Sequence, residues 1–196
     1  MTGMKLKNTI VRSVVIIVIL CLAMLCGLVY QTVWHRIDLK NHPRDFSEYV
    51  SGYAAEYGVP EYILYAVIKT ESDFESNKLS ENGEIGLMQL TPAQFSFICT
   101  ELLEGDAQDT GLLYEPETNL RAGSAWLSYL FGKYGVWEHV FVAYHYGTEA
   151  TDAWLADPTH LSARGELLAF PTRECEDYAK RTAEAVETYN QLYYQA

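Results

Sequence analysis

At 196 residues the chain is long enough for one ordinary domain and a short appendage, and too short for a multidomain machine. Hydrophobic residues at 49% and charged residues at 20% exclude a disordered or fibrous chain and supply material for a buried core. All 26 acids lie beyond residue 37, so the bulk of the chain is strongly acidic, which argues against a nucleic-acid partner held by phosphate neutralisation.

The first element is VVIIVILCLAMLCGLVY from Val14 to Tyr30, 17 residues without a charge and close to the length that crosses a bilayer core. It is longer than the apolar region of a cleaved signal peptide and no small-x-small cleavage site follows, so a retained anchor is expected. Lys5, Lys7 and Arg12 before it are matched in number by Arg36, Lys40 and Arg44 after it. Asp38 and Asp45 dilute the far flank and the N-terminal tail is short, which orients the far side outward. The expected organisation is a cytoplasmic tail at 1–13, a transmembrane signal anchor at 14–34, a linker at 35–45 and one domain at 46–196, outside the cytoplasm. Cys99 and Cys175 in that domain leave two readings open, one disulfide or two buried thiols.

Within the domain, Phe46, Val50, Tyr53, Ala54 and Tyr57 repeat at helical spacing over 44–58, with Gly58 at the cap position. Pro60 opens a second helix whose stripe of Ile63, Leu64, Val67 and Ile68 runs to Ser72. Thr91, Pro92 and Gln94 form a capping box that starts a helix closing at Gly105. Further helices are expected at 119–134, 137–146 and 175–194, and no stretch alternates long enough for a strand. The fold class is therefore mostly α. Loops at 76–90, 105–118 and 156–172 are long enough to line a site.

Glu71 falls three residues after Ile68, four after Val67 and seven after Leu64, which puts a carboxylate on the apolar face of the second helix. Burial and the negative end of the helix dipole both raise its pKa, and a carboxylic acid protonated near neutrality suits general-acid work on a glycosidic oxygen. The alternative from periodicity alone is a glutamate at a fraying helix end that bends into water.

The run ESDFESNKLSENGEIGLMQLTP at 71–92 carries E-S-x-F, a serine nine positions after the glutamate, and G-x-x-G-L-M-Q-hydrophobic-x-P. NLRAG at 119–123 and AYHYG at 143–147 follow in order. Together these resemble the bacterial lytic transglycosylases of the soluble-transglycosylase type, glycoside hydrolase family 23, over residues 46 to about 192. The resemblance implies a bacterial protein with a lysozyme-like fold related to goose-type lysozyme, which the apolar run places behind one N-terminal transmembrane helix in the cell membrane. It implies Glu71 as catalytic acid and base, Ser80 and Gln89 as binding or polarising groups for the N-acetylated sugar, and Tyr144 as the residue that orients the Glu71 carboxyl. It implies peptidoglycan glycan strands as substrate, cleavage between N-acetylmuramic acid and N-acetylglucosamine with 1,6-anhydro ends, and neither metal nor organic cofactor.

The sequence departs from the pattern at several places. Glu84 stands where a small residue is usual, His145 and Tyr146 replace Asn and Ala, and Cys175 and Glu176 occupy the Thr and Arg places of E-T-R-x-Y, whose ends Glu174 and Tyr178 are kept. Two other functions stay open. One is a muramidase that uses water, with Glu84 or Asp73 as the second carboxylate. The other is a silent peptidoglycan-binding module docking a cell-envelope complex. Trp126, Trp137 and Trp154 are candidates for sugar stacking or for core.

Overall fold

The computed structural model describes residues 2–106 and 108–195, with side chains from residue 16 onward. It divides into two compact units, Met1–Pro43 and Arg44–Ala196. The first unit is a single helix, α1 (Thr2–Asn41), whose described stretch from Ile16 reaches a mean hydropathy of 2.5 with none of it buried. It is long and apolar enough to cross a membrane. Of the bases Lys5, Lys7 and Arg12 only the helical backbone is described. The residues expected as linker are mostly helical, because no Gly or Pro interrupts the chain between Gly27 and Pro43. That proline disfavours helical geometry at His42 and ends the helix.

The second unit is helical, and among its described residues no strand forms, only isolated bridges such as Leu79–Ile85 and Ile85–Leu90. α2 (Ser47–Tyr57) starts later than its periodicity implied: Phe46 lies outside it in left-handed backbone at φ 60°, while its ring still packs on the core. Gly58, at φ 67°, caps its end as expected. Pro60 precedes α3 (Glu61–Ser72) as its N-cap rather than opening it.

α3 is the centre of the unit. Ile63 to Ile68 are all buried, on every side of the helix, as befits a core helix that other helices surround. α8 (Arg173–Tyr193) lies along it, with Tyr189 stacked on Tyr65 at 5.4 Å between centroids. α5 (Pro116–Tyr134) packs against α2 and against α6 (Trp137–Tyr146), which in turn packs on α8. Burying each of the large side chains of α3 is worth about 1.5 to 3 kcal/mol, so the helix that carries Glu71 is held firmly in the core.

Three other boundaries differ from the sequence reading. α4 (Pro92–Phe97) keeps its capping box, with Gln94 N donating to Thr91 Oγ1 and Thr91 N to Gln94 Oε1, but then widens into a π-helical turn at Ile98–Leu102. α5 begins at Pro116, ahead of the expected start. α7 (Thr148–Leu155) was not anticipated: it is eight residues long and buries only Thr151, so it leaves no apolar stripe to read. Cys99 and Cys175 are both buried and free, which resolves the cysteine alternatives toward thiols.

Candidate active site

Glu71 sits in the last turn of α3, and the backbone turns away immediately after it. Asp73 and Phe74 take successive left-handed conformations at φ 52° and 69°, unusual for residues with a side chain. Ser72 is buried, and its hydroxyl donates to Leu87 O at 2.8 Å and to Ile68 O at 3.1 Å. The residue after the glutamate thereby ties the helix end to the returning loop. Lys78 closes the same corner by donating to the Glu71 backbone carbonyl.

The loop is pinned from below by Asn119, fully buried near the start of α5. Its carboxamide donates to Ile85 O and Leu113 O, both at 2.9 Å, and accepts from Met88 N at 2.8 Å. A Cβ at Gly86, whose φ is 80°, would come within 2.3 Å of both Asn119 Nδ2 and Leu113 O. A Cβ at Gly123 would meet Met88 Sδ at 2.2 Å. The glycine of G-L-M-Q and both ends of NLRAG thus serve one contact, the close seating of the loop on α5.

Two tyrosines complete the site, and their roles differ from expectation. Tyr144 donates its hydroxyl to Met88 O at 2.6 Å, so it fixes the loop and does not hold the carboxyl. The group that orients Glu71 is Tyr178 of α8, whose hydroxyl donates to Glu71 Oε1 at 2.6 Å. The sequence held a signal for it, the tyrosine retained from E-T-R-x-Y. Both phenols are raised well above their ordinary pKa, by burial first and then by the charge of Glu71.

Burial pushes the Glu71 carboxyl up to about 7. The Tyr178 hydrogen bond opposes this, the Glu84 charge adds to it, and Lys78 and Arg181 pull it down. The glutamate does not bend into water. It is a near-neutral acid with one oxygen already held, the state a general acid needs at physiological pH.

Ser80 and Gln89 belong to the loop that follows Glu71, with much of their bonding spent inside it. Ser80 Oγ accepts from Glu84 N at 3.0 Å. Gln89 is buried at φ 47°, and its carboxamide nitrogen donates to Gly86 O at 2.9 Å and Lys78 O at 3.2 Å. Of the two candidate second carboxylates, Asp73 is exposed and paired with Lys69. Glu84 is half-buried, and its charge acts on Glu71, Tyr144 and His145. Cys175 takes a core position, and Glu176 faces outward to Lys180 at 2.6 Å. The tryptophans lie in other clusters: Trp126 with Phe97 and Tyr129, Trp137 between Phe131 and Phe141, and Trp154 against His160.

Residues 48–165 match the family described as the transglycosylase SLT domain. Among curated proteins, the membrane-bound lytic murein transglycosylase C of Yersinia pestis (strain Pestoides F) is 32% identical over 105 residues, 53% of this chain and 29% of that protein. The same protein of Yersinia pseudotuberculosis matches to the same extent. The chain therefore spans less than a third of the length of these relatives. Among solved structures, an inactive Glu-to-Gln mutant of the lytic transglycosylase Slt from Pseudomonas aeruginosa superposes with a TM-score of 0.70 at 25% identity, over 76% of this chain and 24% of that one. The 70 kDa soluble lytic transglycosylase from Escherichia coli gives 0.72 at 22% identity, over 79% and 25%. The lysozyme-like helical fold expected from the sequence is thus the fold observed.

Proposed function

The chain belongs to the transglycosylase SLT domain family, and from that premise we propose that it is a membrane-anchored lytic transglycosylase of peptidoglycan, its domain on the extracytoplasmic side. The observation that carries the reading is the single carboxyl of Glu71, half-buried, protonated up to about pH 7 and oriented through Oε1 by Tyr178. The inactive Glu-to-Gln mutant of the Pseudomonas relative supports a glutamate in that role.

In this reading Glu71 donates its proton to the oxygen between N-acetylmuramic acid and N-acetylglucosamine as the bond breaks. The substrate's own N-acetyl oxygen stabilises the cationic sugar, and Ser80 and Gln89 bind beside it. The Glu71 carboxylate then takes the proton of the muramic C6 hydroxyl as that oxygen closes on C1, giving a 1,6-anhydro end. One protein carboxyl serves both proton transfers, first as acid and then as base. Desolvation favours the neutral acid before the reaction and makes the resulting carboxylate a stronger base after it.

A hydrolytic second reading rests on Glu84, the half-buried carboxylate whose charge reaches Glu71. A water held by it would give reducing ends. Digestion of purified cell walls by the full chain, with mass analysis of the fragments, separates the two. Anhydro ends, one water lighter, support the transglycosylase; reducing ends alone overturn it in favour of the muramidase, and no release at all favours a silent binding module.

A further inference from the structure

His145 follows Tyr144 in the last turn of α6, and its ring lies flat on that of Tyr178, with centroids 4.3 Å apart and planes 10° from parallel. Tyr178 is the phenol that holds Glu71, 2.6 Å away, and it is 3% exposed. A phenol rotates about two side-chain bonds, and a ring stacked on its face restricts both. Adjacent residues of α6 therefore restrain the site from two sides: Tyr144 fixes the loop through Met88 O, and His145 covers the ring that orients the acid.

We propose that His145 is a positioning residue for Glu71, acting through the face of Tyr178 to keep its hydroxyl on the carboxyl. This rests on the reading of Glu71 as the proton donor. The charged groups that act on the imidazole are Glu174 and Arg181 of α8 and Glu84 of the loop. His145 is exposed at the residue level, and the partial desolvation of its ring lowers the imidazole pKa, with Arg181 acting the same way and the two glutamates opposing. At neutral pH the neutral ring is thereby favoured, so what it supplies is a flat surface rather than a charge. The hydrogen bond from Tyr178 lowers the Glu71 pKa, and loosening it shifts that pKa upward.

The test follows the Glu71 carboxyl directly, by carbon-13 NMR titration of the full chain in detergent micelles, with the resonance assigned through Glu71→Gln. Release of soluble wall fragments is measured alongside. In His145→Ala the titration midpoint should rise by about half a pH unit, and kcat should fall roughly three- to tenfold with KM little changed. His145→Phe, which keeps the stacked ring without the imidazole, should restore both. A midpoint unmoved in His145→Ala, or a phenylalanine variant as impaired as the alanine variant, overturns the proposal. A wild-type chain that releases no fragments while its Glu71 midpoint still responds to His145→Ala overturns the enzymatic reading and upholds the positioning role.

Discussion

Tyr178 lies 107 residues after Glu71 in the chain and donates its hydroxyl to it at 2.6 Å, so the acid on one helix is aimed by a residue on another. Removing only the hydroxyl, in Tyr178→Phe, keeps the ring and the stack on His145. The Glu71 pKa should rise, since the hydrogen bond to the charged form is lost. The alkaline limb of the pH–rate profile should move to higher pH while the maximal rate drops about tenfold, because the carboxyl is no longer held in place. An unmoved limb would show that the bond does not form in solution.

Glu71→Gln should leave the fold intact and remove activity by roughly 10² to 10⁴, the usual worth of acid–base catalysis. It should also stabilise the protein. The folded carboxyl titrates at about 7 against an ordinary value of 4.5, so the unfolded chain gives up its proton first, and wild-type stability declines between those two pH values. Above pH 7 the penalty is complete, at most about 3 kcal/mol. Denaturant melts should therefore find the variant more stable than wild type at pH 8, with the gap narrowing toward pH 4.

Glu84→Gln removes a negative charge that raises the Glu71 pKa, so the alkaline limb should move to lower pH. Anhydro ends should remain the product. Loss of reducing ends in this variant, if wild type makes them, would identify Glu84 as a base instead.

Gly86→Ala forces a Cβ to within 2.3 Å of Asn119 Nδ2 and Leu113 O, in backbone that side chains rarely adopt. Asn119→Ala strips the side-chain partner from Met88 N, Leu113 O and Ile85 O, of which Ile85 O keeps Leu90 N, and a buried backbone group left unpaired costs about 1 to 3 kcal/mol. Both variants should lower the melting temperature by several degrees and reduce activity. A fully stable Gly86→Ala would mean the loop is seated less closely than described.

The full chain should sediment with membranes and resist carbonate extraction, and protease added to intact protoplasts should reach the domain. Protection of the domain would reverse the proposed orientation.

The helices that carry apolar periodicity were legible in the sequence, and so was the anomaly of Glu71 on an apolar face. Where periodicity is interrupted, the reading failed: α7 buries one residue, and the widening of the chain after Phe97 depends on how Ile98 and Cys99 seat in the core. That Tyr178 rather than Tyr144 holds Glu71 has a similar cause. Both are phenols in motif positions, and which hydroxyl reaches Glu71 depends on how α6 and α8 pack, a distance that local spacing does not encode. Ser72 and Asn119 stood inside quoted motifs, yet their work as anchors of the loop emerges only when the loop folds back on them.

Met88 is the domain's only methionine and is completely buried, its amide held by Asn119, its carbonyl by Tyr144 and its sulfur against Gly123. A thioether packed this closely has no room for a sulfoxide oxygen, so an oxidant can reach it only during moments when the loop lifts off α5. The rate at which Met88 gains oxygen in dilute peroxide is therefore a built-in clock of how often the site opens, readable by mass spectrometry on the unmodified sequence.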